Sequence, residues 1–473
     1  MTSRRVPVVV ILMAALVGLS LVDVGDRPPP RFGTAAGFVM PVADPASSLS
    51  STWFCAASGD GADGADLTVV LANQGDQARA GTVTWVPAQG EPVVRPIQVG
   101  PRQGMSMGAA DAVGAGAVSA VVELDGGDVG IEHAIGSGPG RALAPCASAA
   151  SDRWYLADGA TTRDASQVLA LFNPFPDDAI VDITFSTDQG RDEPEGLQGL
   201  PVRAGSTTRV DLGEFVRRRA VTATSVVARS GRLVVDRLQR FDGSDVRAGT
   251  SLSLAAPAPG EVWTFPDGRY QEGLTERWHV YNPGEEDAVV IIEVVPDSGE
   301  VPIPVERTVP GRSQIMVDAA ETAPAPGGVG HSSTVRSVNG VAVVVERELA
   351  GAAPSPRRGW SSVLGSPLAA PRWLLAATAN AGAVDERLIV HNPGTEPVRF
   401  SVIALAQGRR APVADLQGVE LAPSQRREVA MGEVRKGNPL PLVVEADAPV
   451  VVERDLSSAT DPGISSVIGI PLP

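Results

Sequence analysis

Apolar positions along this chain alternate over short stretches. Ile180-Val181-Asp182-Ile183-Thr184-Phe185-Ser186 and Val398-Arg399-Phe400-Ser401-Val402 place apolar side chains two apart, and Val83-Thr84-Trp85 does so more briefly. That spacing predicts strands with one buried face. No sustained 3.6-residue period competes with it, and 51 glycines and 40 prolines would interrupt helices throughout. The few helical scraps, such as Asp211-Leu212-Gly213-Glu214-Phe215, are short enough to be connections.

The alternating runs belong to a repeat. A tryptophan (Trp53, Trp154, Trp263, Trp373) is followed by an apolar run ending at an asparagine (Asn73, Asn173, Asn282, Asn392). The spacing is 20 residues in the first copy and 19 in the others. The asparagine opens a turn, written Asn-Pro-Gly at 282–284 and 392–394. A glycine then follows at Gly90, Gly190, Gly299 and Gly408, where a hairpin needs a positive φ. An apolar-Pro-or-Gly corner comes next, as at Val309-Pro310-Gly311 and Leu421-Ala422-Pro423. Asn339-Gly340 then reads as a two-residue turn closing a pair of strands, with Gly126-Gly127 and Ser230-Gly231 in the same place earlier.

The strand after that turn ends in a charged pair: Glu132-His133, Asp236-Arg237, Glu346-Arg347 and Glu453-Arg454. A last strand finishes each copy, as in Ser362-Val363-Leu364 and Ser466-Val467-Ile468. About seven short strands in roughly a hundred residues, with turn signals every ~8–12, predict an Ig-like or fibronectin-like sandwich. A propeller blade of ~40–50 residues is too short for the period. The fold expected is therefore all-β, with four tandem β-sandwich modules at 51–150, 151–259, 260–369 and 370–473.

Ahead of the modules, Arg4 and Arg5 precede an uncharged apolar stretch from Val6 to Val22. Residues 1–22 read as a signal anchor leaving the bulk of the chain extracytoplasmic, or alternatively as a cleaved signal peptide. Residues 23–50, with Pro28-Pro29-Pro30 and a Ser/Ala-rich tail, read as a linker. The only two cysteines, Cys55 and Cys146, lie near the two ends of module one. Aligning on Trp places Leu156, Phe265 and Leu375 at the position of Cys55. Aligning on the closing Pro145, Pro367 and Pro471 places Leu368 and Leu472 at that of Cys146. A disulfide joining the first and last strands is expected, in keeping with an oxidising compartment; two separate buried thiols are the alternative.

The net charge of −16 disfavours nucleic acid and anionic polymers as direct ligands. Lys436 is the only lysine, and the Ala/Gly/Val-rich, Arg-based composition suggests a high-GC genome. No nucleophile elbow, zinc-protease helix or phosphate loop is present, so no catalytic residue, metal or cofactor is expected. His133, His279, His331 and His391 are scattered, and His391 stands where other copies carry Ala72, Phe172 and Tyr281, which favours packing. Asp60, Asp63 and Asp66 fit a solvated loop better than a calcium site. The charged pair admits two readings. Either the Arg stem covers apolar surface while its head pairs with a carboxylate or stacks on the module Trp, or the pair makes a recognition or module–module contact. The first is the simpler. The module tryptophans suit a core or inter-module plug better than a sugar platform.

The Arg-flanked apolar segment, Trp53-x-Cys55, the Asn-Pro-Gly turns and the Val-Val-Val-Glu-Arg strands together resemble a family of uncharacterised actinobacterial exported proteins, a domain of unknown function. The resemblance implies an exported location and brings no catalytic residues. The function expected is a non-enzymatic scaffold or adaptor of the cell envelope, a rod of modules presented to another envelope protein. A wall- or glycan-binding protein is the alternative, and a hydrolase with a site between modules a third.

Overall fold

The structure is a computed structural model and describes residues 39–56, 67–114, 116–136, 141–322, 328–376, 384–432, 440–458 and 462–473. The apolar segment 6–22, the Asp60–Asp66 loop and Lys436 lie outside these residues. Among the described residues no helix is long and apolar enough to cross a membrane.

Module one has eight strands rather than seven: β1 (Ser51–Cys55), β2 (Leu67–Asn73), β3 (Arg79–Pro87), β4 (Val93–Val99), β5 (Gln103–Gly108), β6 (Val118–Leu124), β7 (Val129–Ile135) and β8 (Ala142–Pro145). They form two antiparallel sheets, β1-β6-β3-β4 in front and β5-β2-β7-β8 behind. The plan recurs in the other modules. In module four, strands six and seven fuse into one run, Leu442–Ser458, which pairs with front strands at its start and back strands at its end. This corrects the expected hairpin at Asn339-Gly340. The strand before it (Val329–Ser337) lies in the front sheet and the strand after it (Val344–Gly351) in the back sheet. The turn carries the chain between layers and closes no ladder. The hairpin in this part of each module is the next turn, between strands seven and eight.

The repeated asparagines hold the turn after strand two. Each Nδ2 donates to the carbonyl four residues on: Gln77 (2.7 Å), Asp177 (2.8 Å), Glu286 (2.7 Å) and Glu396 (2.8 Å). Each also donates to a carbonyl at the end of the fourth-strand segment, as from Asn282 to Val309 at 3.1 Å. Oδ1 accepts the N–H two residues on, from Gly75, Phe175, Gly284 and Gly394. One buried amide thus satisfies three backbone groups, an Asx turn in the same form four times. The hairpin glycines Gly90, Gly190, Gly299 and Gly408 do have positive φ, between 83° and 105°.

Every module tryptophan is buried: Trp53, Trp154, Trp263 and Trp373 are at most 1% exposed. Three donate Nε1–H to the carbonyl just before strand seven or its equivalent: Leu233 (2.9 Å), Val343 (2.8 Å) and Val450 (2.8 Å). The disulfide Cys55–Cys146 joins β1 to the residue after β8. The structure corrects the alignment behind it. The backbone bonds Cys146 N–H to Ile131 O, Ala255 to Val235, Gly365 to Val345 and Gly469 to Val452 make Ala255, Gly365 and Gly469 the counterparts of Cys146. Where module one has a disulfide, module three sets Phe265 on Gly365, and a Cβ there would lie 2.7 Å from the ring. Module four sets Leu375 on Gly469.

The modules do not form a rod. The front sheet of each packs its second face on the back sheet of the next. Val86 of module one joins the core of module two, Tyr155 and Ala223 of module two join that of module three, and Leu374, Ile403 and Val443 of module four join that of module one. Modules four and one therefore meet, and the set closes. The four eighth strands converge on a common axis, bridged by serines: Ser251 Oγ to Ser362 O (3.1 Å), Ser361 Oγ to Ser466 Oγ (3.3 Å) and Leu143 N to Ser465 Oγ (3.1 Å). Strand seven is buried on both faces throughout modules one and three, which is why it reads there as apolar residues without alternation up to the charged pair.

Replacing Asn282 by Ala should lower stability by roughly 1–3 kcal/mol, because the Val309 carbonyl is left buried without its partner. Chemical denaturation checks this. An unchanged midpoint would mean the turn holds without the amide.

Candidate functional site: a ring of charge between the modules

The repeated charged pairs meet in a closed circuit. His133 of module one faces Asp236 of module two, Nε2 to Oδ2 at 2.8 Å. Arg237 of module two meets Glu346 of module three at 2.8 Å. Arg347 of module three meets Glu453 of module four at 2.5 Å, and Arg454 of module four meets Glu132 of module one at 2.6 Å. All eight side chains are buried to 1% exposure or less. The structure combines the two readings: the arginine heads pair with carboxylates, and those carboxylates belong to the neighbouring module.

Strand geometry explains the circuit. Neighbours on a strand face opposite ways. Arg347 shares the core face with Val345, passes Phe265 with its guanidinium 5.7 Å from the ring, and reaches the next module beyond the end of the first strand. Glu346 faces the other way, to the preceding module. Two adjacent residues thus bind both neighbours. Two of the arginines also donate to their own module: Arg237 to the Asp158 carbonyl and Arg347 to the Asp267 carbonyl. The carboxylates accept backbone N–H groups across the seam. Glu346 takes Ala157 and Asp158 (2.7 Å each), Glu453 takes Asp267 (3.0 Å) and Glu132 takes Ala376 (2.9 Å).

Further polar groups thicken two seams. Asp267 binds Arg357 (2.8 Å) and Arg426 (3.0 Å), and Arg357 continues to Asp455 (2.6 Å). Burial works to raise the Asp267 carboxyl, but Arg357, Arg426 and Arg347 together hold it well below its ordinary range. Glu453 behaves oppositely: burial pushes it up to about 7, with Asp267 adding to the rise against the pull of Arg347. At the seam of modules two and three, His279 lies 3.1 Å from Glu348 and 3.5 Å from Asp158, and Trp360 donates Nε1–H to Glu348 at 2.9 Å. Burial of Glu348 is outweighed chiefly by His279, leaving its carboxyl at about 2. Sequence reading passed over Asp267, Arg357, Arg426 and Glu348. The signal within reach was the shared offset of Asp158 and Asp267, each two residues past the aligned Leu156 and Phe265.

Two cavities accompany the ring. One of about 70 Å³ lies on the axis, lined by the eighth strands and by Val39, Met40 and Pro41. The other, of about 240 Å³, lies between the front sheet of module three and the turn of module four bearing His391 and Pro393. Its rim is Val301, Pro302 and Pro304. In that stretch Val301 is 63% and Ile303 87% exposed. His391 is buried, with Nδ1 donating to the Gln425 carbonyl at 3.2 Å. His331 faces Glu276 at 2.9 Å. One cluster of metal-ligand type occurs among the described residues: Cys55, His133 and Cys146, with Cys146 Sγ 3.4 Å from His133 Nδ1.

The chain belongs to DUF5719, a family of unknown function, whose model matches residues 97–248 and 244–463. No curated protein matches it. Among solved structures, the Anabaena sensory rhodopsin transducer is 27% identical over 19% of this chain and 94% of its own, with a TM-score of 0.17. Thermotoga maritima 1070 is 18% identical over 23% and 94%, with a TM-score of 0.21. A tetra-tandem repeat from the extending region of a large adhesion protein is 11% identical over 89% and 99%, with a TM-score of 0.11.

Replacing Arg347 by Met should cost about 3–5 kcal/mol, because Glu453 is left buried without its counter-charge; replacing both by Met should recover most of the loss. Thermal unfolding of the three variants checks the pair. Burial lowers His391 to about 4 from an ordinary value near 6.5. Its stabilising contribution is complete above pH 6.5 and is lost as pH falls toward 4, by about 3 kcal/mol. His391→Phe, the residue of module two, should therefore flatten the acid side of the stability profile over that window. An identical pH profile in the variant would refute the assignment.

Proposed function

We propose that the chain is a non-enzymatic scaffold of the cell envelope, a closed four-module platform that presents its outer loops and edges to a partner protein. The observation that carries this reading is where the recurring chemistry goes. The charged pairs, the tryptophans and the turn asparagines, which recur in every copy, are all buried in holding the modules and their ring together. The apolar Val301–Pro304 stretch beside the 240 Å³ cavity, by contrast, belongs to one copy and lies outside. Exposed apolar side chains rimming a groove suit protein contact.

The location we propose is extracytoplasmic, with residues 6–22 as an anchor or a cleaved signal, in an actinobacterial envelope. The buried disulfide supports an oxidising compartment. Wall-glycan binding has less support, because all seven tryptophans are at most 1% exposed and none offers a face to a sugar. A hydrolase between modules has less support still, since the seam carboxylates and histidines are enclosed by the packing that pairs them.

Crosslinking in intact cells, followed by separation of membrane and wall fractions, tests the scaffold. One abundant protein partner is expected, with its crosslinks reduced at least several-fold by Ile303→Asp. Retention in the wall without a protein partner, released by wall digestion, would put glycan binding in its place.

A further inference from the structure

Module one departs from the repeat at three positions that touch. Cys55 stands where the others carry Leu156, Phe265 and Leu375, and Cys146 where they carry Ala255, Gly365 and Gly469. His133 stands where they carry Arg237, Arg347 and Arg454. A large-on-small apolar contact and an arginine have become two sulfurs and an imidazole. The ligand atoms of all three lie within 4.8 Å of one another and the residues are fully buried. Nδ1 of His133 points at the sulfurs, 3.4 Å from Cys146 Sγ, while Nε2 lies 2.8 Å from Asp236 of module two.

That is the layout of a histidine metal ligand with its orienting carboxylate. Metal-bound imidazoles commonly donate their other N–H to a carboxylate, which fixes the tautomer and leaves the facing nitrogen free to ligate. Two thiolates and one imidazole are a soft donor set, suited to zinc(II) or copper(I). We propose that the reduced form of module one binds one thiophilic d10 cation through Cys55, Cys146 and His133 Nδ1, with Asp236 as a positioning residue. In the oxidised form the disulfide occupies the site. The chemistry balances with a dithiol as reductant. Its two thiols become a disulfide, and the two electrons and two protons convert Cys55–Cys146 to two thiols. The cation then displaces both thiol protons to solvent, forms two metal–thiolate bonds and accepts the Nδ1 lone pair.

The metal would replace one cross-link by another. In either state β1 stays tied to the end of β8, and His133 Nε2 keeps its place beside Asp236, so the seam between modules one and two survives the exchange. An arginine at 133, as in the other modules, would still face Asp236 and would lose the site.

The test uses the full chain, reduced with excess dithiol, desalted under argon and titrated with zinc(II) in one arm and copper(I) in the other, each against a chromogenic chelator. One equivalent bound in either arm by reduced protein, and none by oxidised protein, is expected. His133→Arg should weaken binding by at least tenfold, and Asp236→Asn by about 10–100-fold. Should His133→Arg fail to match the wild-type thermal transition when oxidised, Cys55→Leu/Cys146→Gly, the pair of module four, gives the same reading. No binding in the reduced protein, or binding undiminished by these substitutions, would overturn the proposal.

Discussion

A carboxylate sealed from water needs its counter-charge within reach, and for these three ring glutamates the counter-charge comes from another module. Glu346 is neutralised by Arg237, Glu453 by Arg347 and Glu132 by Arg454. An isolated module would hold a charge on its strand-seven surface facing water, beside an apolar face with nothing on it. The module is thus a unit of sequence more than a unit of stability. Buried ion pairs of this sort are a poor source of net stability compared with apolar packing, but they penalise misplacement severely. Sliding one sheet along its neighbour by a strand residue would leave both charges unpaired. The pairs set the register in which four nearly equivalent modules dock.

The same constraint accounts for the composition of the strands. A front sheet with one face on its own core and the other on the next module has no solvated face over much of its length. Leu374 illustrates this: its neighbours Trp373 and Leu375 fill module four, while Leu374 lies in the core of module one. Gly130 makes room for it, since a Cβ there would stand 2.7 Å from the Leu374 methyl. Close approach between modules, rather than backbone freedom, is what this glycine provides.

Much of this was legible in the residues. The Trp-to-Asn spacing marked four modules, and the asparagines sat where one buried amide could serve three backbone groups. The two cysteines fell at strand ends that meet. Other features could not be read. Adjacent Glu and Arg must face opposite ways on a strand, but periodicity does not say which surface each one meets, so the sequence points to a carboxylate for the Arg head without saying whose. Ring closure depends on the angle between stacked sheets, which no local pattern records. The counterpart of Cys146 was misplaced because the closing prolines are not equivalent. Pro145 precedes Cys146, whereas Pro367 follows Gly365 by two residues.

Near-symmetry gives these departures their meaning. Four copies of one module provide three internal references for every position, so a change in one copy stands against what the fold itself requires. Asp236 in place of Glu shortens the acid by one carbon, and its partner is the one basic side chain of the ring that is an imidazole. The shorter acid and the flat ring meet at the seam where the repeat's large-on-small pair has become a disulfide. These changes lie in two modules, and they are contiguous only because the ring brings β7 of the first against strand seven of the second. A chemistry that needed one of them alone could have been placed anywhere in the chain. Their assembly at a single seam argues that they act together, and that this seam differs in kind from the other three.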